Sequence, residues 1–586
     1  MDNKRKSLKK NQITTFLITL VIIVVVNVIG SFVFTRFDLT SEKRYTLSDT
    51  TKEILGNLND YVYFKVYLEG DFPAGFKKLR RETKEMLDEF RAYSRFIDYE
   101  FINPSESSDA NERNETYKIL YQSGLNPTDL VVRNSDGSSK QMVIWPGALV
   151  SYRNDTEIAI DLLENQLGQS EEAALNASMQ NLEFRLIDAV KKVTRLKKPN
   201  VAFIDGHGEL AGQDVYDITQ SLSQHYNIGR VTIDGKIDAL MHRTQNEEVE
   251  IKAFPSFDAI IIAKPTLPFS EKDKFLIDQY IMHGGKVLWL VEPVYATMDS
   301  LQDQESTIGI EQDLNLDDML FKYGVRLNRD LLLDLNCAAL PVRTGQVAGQ
   351  AQLEYFRWFY FPLLQAASEH PMVRNMNPIK ADFVSSVSAT TSANGINQIP
   401  LLKTSDYTKV SGAPVFITLA MLKQTPEKRM FNAKGQNVAY LLKGSFPSLY
   451  ANRIPQEIID SEEMKFMEES VPTAMIVVAD GDIIRNQIEV KRRNPLPLGY
   501  DQYTGNTYAN KEFIENCISY LVDGEGLIDI RSRELKVRLL DMTKVDHERT
   551  KWQLINTLVP IAAIIALGFV MSLIRKRKYN KKQDIK

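Results

Sequence analysis

The sequence predicts an α/β protein tied to a membrane at both ends, with one N-terminal and one C-terminal transmembrane helix flanking a large extracytoplasmic body of α/β domains. Three observations carry this reading. Ile13 to Phe34 and Leu554 to Ile574 are apolar runs long enough, at 1.5 Å of helix rise per residue, to cross a hydrocarbon core of about 30 Å. Basic residues border each run on its outer side: Lys4, Arg5, Lys6, Lys9 and Lys10 before the first, and Arg575, Lys576, Arg577, Lys578, Lys581 and Lys582 after the second. The positive-inside rule then keeps both tips in the cytoplasm and the body on the opposite face. Between the runs, short apolar strands alternate with amphipathic helices, the pattern of a mostly parallel, helix-covered sheet.

The first run (13–34, after a basic tail over 1–12) exceeds the apolar core of a secretion signal. Its exit, Val33-Phe34-Thr35-Arg36-Phe37, lacks a small-x-small cleavage pattern, so it reads as an uncleaved anchor. Asn27 is its one strongly polar side chain, and an amide in hydrocarbon should seek a partner helix. The second run (554–574, before the basic tail 575–586) contains Pro560, expected to bend it. The net charge of −5 hides two basic tails, so the body is more acidic than the total; the tails suit anionic headgroups, and no nucleic-acid face is evident. A mean hydropathy of −0.25 fits a large aqueous body with two spans rather than a polytopic transporter. The two cysteines, Cys337 and Cys517, exclude a disulfide framework and a thiolate metal site; an isolated pair and two buried thiols both stay open.

Taken in order, 37–155 reads as a small mixed α/β domain. Ser48 caps a helix, Tyr61 to Leu68 alternates as a strand, Lys77 to Ser94 forms an amphipathic helix and Phe96 to Ile102 the next strand. A helix over Glu106 to Ser123 and a hairpin around Asn134 to Gly137 follow. A helical connector (156–198) carries the basic run Lys191, Lys192, Arg195, Lys197 and Lys198, read as a solvated face. A second α/β domain (199–360) opens with the strand Val201 to Ile204, continues through Phe257 to Ala263 and the capped helix Ser270 to His283, and reaches Lys286 to Val291. After a long polar stretch, 361–550 is either a second α/β subdomain or the completion of the preceding sheet, with strands at Ala439 to Lys443 and Ala474 to Ala479 and an Asn-capped helix over Asn510 to Leu521.

The most site-like cluster is Asp205, His207 and Glu209, in a glycine-containing loop where a strand ends, the place where open α/β sheets put ligand groups. His207 with a carboxylate could serve a hydrolase as a base; the same residues equally suit a capped, tight turn. Glu292, Asp480 and Asp482 stand at the ends of two further strands. Asp480-Gly481-Asp482 does not continue as a calcium loop. No nucleophile elbow or phosphate loop is present, Cys337 and Cys517 lack a nucleophile's setting, and no catalytic residue, metal or cofactor is assigned.

Several motifs stand in order along the chain: Arg36-Phe37-Asp38-Leu39-Thr40, Gly70 to Phe76, Phe101-Ile102-Asn103-Pro104, Asp205 to Glu209, Gly284 to Trp289, Ala479 to Asp482 with Asn486, Pro497 to Tyr500, and Asn510 to Phe513. Taken together, they resemble the GldG family of the Bacteroidota, auxiliary or substrate-binding-like components of ABC transporters in gliding motility. The resemblance implies a GIFT-type domain over 199–360 with a class I glutamine-amidotransferase-like, flavodoxin-like parallel sheet, though without that class's Cys-His-Glu arrangement. It also implies an ABC permease and a cytoplasmic ATPase as partners, an inner-membrane two-pass location with a periplasmic body, possible surface or motility partners, and a non-enzymatic role. The alternatives are a membrane-tethered hydrolase using Asp205, His207 and Glu209, or a polysaccharide-binding scaffold using Tyr355, Phe356, Trp358, Phe359, Tyr360 and Phe361.

Overall fold

The computed structural model describes residues 14–25, 46–133, 139–153, 156–163, 171–195, 197–236, 238–246, 249–301, 304–347, 350–391, 395–423, 426–454, 465–489, 492–524, 530 and 542–580. Residues up to Arg533 form one compact unit and Glu534–Lys586 another.

The first sheet of the larger unit has strands β1 (Val62–Val66), β2 (Ile97–Phe101), β3 (Gly147–Tyr152) and β4 (Thr156–Asp161) in the order β2-β1-β3-β4. Alternation in β1 drives Val62, Phe64 and Val66 into the core. β2 lies parallel to β1, and the crossover between them is helix α1 (Ala74–Tyr93), whose Phe76, Leu79, Leu87 and Phe90 recur at helical spacing and are buried. Burying each such side chain contributes about 1.5–3 kcal/mol. Ser48 caps the preceding helix Asp49–Gly56 as expected, accepting from the Thr51 amide.

The segment read as a connector, 156–198, gives this sheet its edge strand β4 and its core the helix α2 (Leu182–Val193), through Leu182, Leu186, Ile187 and Val190. Its basic run is solvated only in part: Lys197 and Lys198 are exposed, but Lys192 and Arg195 are paired. Lys192 pairs with Asp188 at 2.7 Å with both side chains largely buried, and Arg195 pairs with Asp523, clasping the first core to the second. The Arg195 pairing has no local sequence signal because Asp523 lies far away in the chain, whereas Asp188 is one helical turn from Lys192.

The second sheet has ten strands. Its parallel half comprises β5 (Asn200–Asp205), β6 (Asn227–Thr232), β7 (Ala259–Ala263) and β8 (Val287–Leu290). The other half is built from β9 (Cys337–Val347), β10 (Gln350–Ala366), β11 (Asn397–Lys403) and β12 (Asn437–Gly444), and the last strand to arrive is β13 (Thr473–Val478). The order is β9-β10-β11-β12-β13-β8-β7-β5-β6, with Ile379–Lys380 beside β10. β13, β8, β7, β5 and β6 run parallel to their neighbours, while the pairings from β9 to β13 are antiparallel. The sheet is therefore mixed, not mostly parallel. The stretch after 336 contains the β9–β10 hairpin, in which Gln352, Leu353, Glu354 and Tyr355 are exposed and show no burial alternation. β11, β12 and β13, all within the stretch after 361, belong to this second sheet and extend it without a break.

Helix α4 (Glu271–Met282) covers one face with Ile277, Tyr280 and Ile281. Helices α3 (Tyr216–Ser223) and α5 (Asn510–Asp523) cover the other with Ile218, Leu222, Phe513, Cys517 and Ile518. Ala263, Leu290 and Val478 stand in register across three neighbouring strands, so the residues just beyond them meet at one edge.

In the smaller unit, helix α6 (Met542–Asn580) runs through Pro560, and its stretch Thr550–Arg577 is long and apolar enough to cross a membrane. At the other end of the chain, Thr14–Val25 is a shorter apolar helix. The remainder of the N-terminal span, Asn27 included, lies outside the described residues, as does most of 528–539.

Candidate functional site

The carboxyl edge of the parallel strands carries two polar clusters. The first is the Asp205–Glu209 loop after β5. Asp205 turns outward to Arg230, whose Nε and Nη2 donate to its two oxygens at 2.8 and 2.5 Å. His207 turns inward and is 4% exposed. Its Nδ1 lies 3.2 Å from Glu209 Oε1, its Nε2 3.3 Å from Asp273 Oδ2, and its ring stacks on Phe269 at 3.7 Å. Burial pulls the imidazole pKa down, but the two carboxylates outweigh it and hold the group above an ordinary histidine. The backbone closes the loop further: the Thr266 and Leu267 amides donate to the His207 carbonyl. Gly208, at φ +71°, admits no side chain, since a Cβ would meet Thr266 Oγ1 at 2.1 Å. His207 and Glu209 are thus brought together while Asp205 is not, and the arrangement is a charged tie between the β5 loop and the start of α4.

The second cluster unites Glu292, Asp480 and Asp482 with a residue the sequence reading did not single out, Lys264. One carboxylate oxygen from each acid lies within 4.8 Å of the others. Lys264 Nζ reaches Glu292 Oε1 at 3.1 Å and Asp482 Oδ2 at 2.5 Å. Asp480 receives the Asp482 and Asp382 amides at 2.8 and 3.1 Å, and Glu292 receives the Gly481 amide at 3.2 Å. Burial pushes the Glu292 and Asp480 carboxyls well above the usual range, and Asp482 reinforces both. Burial would lower Lys264, yet Glu292 and Asp482 more than reverse this and raise it. The ammonium supplies the positive charge that a metal ion would bring to three such carboxylates. Lys264 was visible in principle: a charge directly after the all-apolar Ala259–Ala263 and before Pro265.

Beside this cluster opens a cavity of about 720 Å³, lined among others by Asp482, Arg485, Lys380, Asp382, Phe383 and Tyr500. Lys380 pairs with Asp382 at 2.8 Å, and Arg485 with Asp214 at 3.3 Å. Asn510, expected to cap α5, instead clamps this wall. Its amide donates to the Lys380 and Ile483 carbonyls at 2.8 and 3.1 Å, and its oxygen accepts from the Lys380 amide at 3.1 Å. Ala509 stands at the cap position. A concave pocket with aromatic walls, lined by five aspartates against Lys380 and Arg485 and set at the carboxyl edge of parallel strands, suits a polar solute.

In the aromatic run, Trp358, Phe359, Tyr360 and Phe361 are buried, so most of it is core; Tyr355 is exposed and donates to the Tyr503 carbonyl at 2.8 Å. Both cysteines are free thiols. Burial pushes Cys337 up to about 12 and raises Cys517 well above its ordinary value, the opposite of an activated nucleophile.

An apolar helix long enough to cross a membrane and an α/β body with a mixed sheet define the general class. Residues 198–517 match the ABC-transporter auxiliary family, described as an ABC-type uncharacterized transport system, and the chain belongs to that family. Residues 41–151 match a domain of unknown function, DUF7088. An uncharacterized protein of Borreliella burgdorferi is 19% identical over 580 residues, 98% of this chain and 99% of its own. The structure of the mmIFT52 N-terminal domain aligns with a TM-score of 0.31 and 11% identity over 56% of this chain and 99% of that one, too low a likeness to argue from.

Proposed function

We propose that the chain is a non-enzymatic, membrane-anchored auxiliary subunit of an ABC transport complex, working beside a permease and a cytoplasmic ATPase. The observation that carries this is the family match across 198–517, the part that holds the whole second sheet and its cavity. The Thr550–Arg577 helix supports attachment to the membrane in which a permease resides. Two passes, a periplasmic body and an inner-membrane location remain part of the proposal, supported by the basic tails outside both apolar runs. In that arrangement Asn27 is the side chain to contact a permease helix.

The finer reading, a GldG-like role in gliding with an amidotransferase-like domain, rests on the motif resemblance. It gains support from the parallel half of the sheet, whose strands, numbered along the chain, follow the order 2-1-3-4-5 of flavodoxin-like folds. The cavity beside Lys264, Glu292, Asp480 and Asp482 is the proposed place for a polar ligand. No geometry favours the hydrolase alternative, since both His207 nitrogens are already engaged by carboxylates.

Affinity purification of the full chain from membranes in a mild detergent is expected to bring down an ABC permease and its ATPase in fixed ratio. Recovery of the chain without either would overturn the proposal.

A further inference from the structure

We infer that a second cavity, remote in sequence from the Lys264 cluster, binds a multiply charged oxyanion. The cavity measures about 720 Å³ and is walled by the helix Asp317–Tyr323, the strand Val325–Leu327 and the turn around Leu449. Its cations are Lys322, Arg326, Arg329 and Arg453, and its acids Asp317 and Asp318. Both acids are already used: Asp317 accepts from Arg329 Nη2 at 2.9 Å, and Asp318 from the buried Lys274 at 2.8 Å. Arg329 is likewise engaged, since its Nη1 reaches Glu311 at 2.5 Å. Lys322, Arg326 and Arg453 have no ion-pair partner among the described residues.

The backbone segments that carry Lys322 and Arg453 are tied together by one buried carboxylate. Asp278 of α4 accepts from Tyr323 Oη at 2.7 Å, from Ser448 Oγ at 2.7 Å and from the Leu449 amide at 2.8 Å. The helix bearing Lys322 and the turn leading to Arg453 are thereby fixed to the same point. Gly324, in the left-handed region at φ +116°, turns the chain directly from that helix into the strand bearing Arg326. Unpaired like charges around a groove floored by Leu320, Leu327 and Leu449 repel one another, and an anion relieves them. The planar forks of two arginines match phosphate or carboxylate oxygens, and three unpaired cations suit a ligand with more than one negative charge. Such chemistry is offered both by a soluble phosphorylated solute and by the phosphate headgroup of an anionic lipid.

The test is calorimetric titration of inorganic pyrophosphate into the full-length chain in a neutral detergent, repeated in nanodiscs of phosphatidylcholine with and without phosphatidylglycerol. Saturable binding is expected, with Arg326→Gln and Arg453→Gln each weakening it about tenfold or more, and Arg326→Lys weakening it less. All three cations are exposed, so Lys322→Gln and the arginine variants should melt as the parent does. Loss of pyrophosphate binding only in phosphatidylglycerol nanodiscs would assign the site to a headgroup, and retention in both to a soluble anion; either supports the inference. Absence of saturable binding to the parent chain in detergent, or an Arg326→Gln/Arg453→Gln variant that binds as tightly as the parent, overturns it.

Discussion

Replacing Lys264 by Met keeps the bulk of the side chain and removes the only ammonium among three carboxylates. Its side chain is 10% exposed, as against 3% for Glu292 and 12% for Asp482, so little solvent screens the pairs. Removing one partner of a buried pair costs about 3–5 kcal/mol. The loss must depend on pH, because Glu292 and Asp480 already have raised carboxyl values and rise further without the lysine. For groups whose folded pKa is raised, stability is complete below the unfolded value, about 4, and is lost as pH rises through the folded value. Lys264→Met is therefore expected to melt near the parent at pH 5 and well below it at pH 8. A shift of about 5–10 °C is the scale to expect. Thermal melts followed by near-ultraviolet circular dichroism, where the fully buried Trp289 on β8 reports on this core, would measure it. The double variant Lys264→Met/Glu292→Gln should recover much of the loss at pH 8. A pH-independent shift, or one smaller than about 1 kcal/mol, would refute the claim that the ammonium neutralises this edge.

Other consequences are equally open to measurement. The stability contributed by the His207 tie is complete below the unfolded value, about 6.5, and is lost as pH rises through the raised folded value, so it fades on the alkaline side; His207→Gln should cost about 3 kcal/mol in mildly acidic buffer and flatten that dependence in melts across pH 5.5–9. Asn510→Ala removes three hydrogen bonds and should destabilise the body by about 2–4 kcal/mol in denaturant unfolding. Gly208→Ala combines a left-handed backbone with a clash against Thr266 and should cost about 2 kcal/mol or more; adding Thr266→Ala should return only the steric part. Fused to a soluble reporter, Thr550–Arg577 should make it resist alkaline carbonate extraction, and a freely extracted reporter would count against the span.

What could be read from the residues follows a physical line. Strands buried on both faces, such as Ala259–Ala263 and Val287–Leu290, are apolar throughout and end in charge or proline, so the βα units were legible. Ser48 and Ser270 announced their helices through local hydrogen bonding that depends only on neighbours. The antiparallel half was not legible because Gln352 to Tyr355 of β10 face water and show no burial pattern. Glu292, Asp480 and Asp482 were flagged from their positions after strands, yet their convergence on Lys264 depends on β13 landing beside β8, a long-range pairing no local pattern encodes. Asn510 was misread for a related reason: an asparagine opening a helix looks the same whether it caps that helix or clasps Lys380 from another segment.

The position of β13 also bears on how the chain comes to fold. It lies between β8 and β12 in the middle of the sheet, although it is the last of the described strands to be synthesised. Until Thr473–Val478 emerges, β8 has one unpaired edge, and its Val287, Leu288, Trp289 and Leu290 lack the neighbours that bury them. Helix α5, which covers the opposite face, arrives later still, shortly before the apolar Thr550–Arg577. A nascent chain therefore carries an open, sticky sheet edge from β8 until β13 emerges, and the core closes only shortly before the apolar Thr550–Arg577 is made. Truncation before Thr473 should yield aggregation rather than a smaller soluble body, a constraint on any attempt to express the parallel half alone.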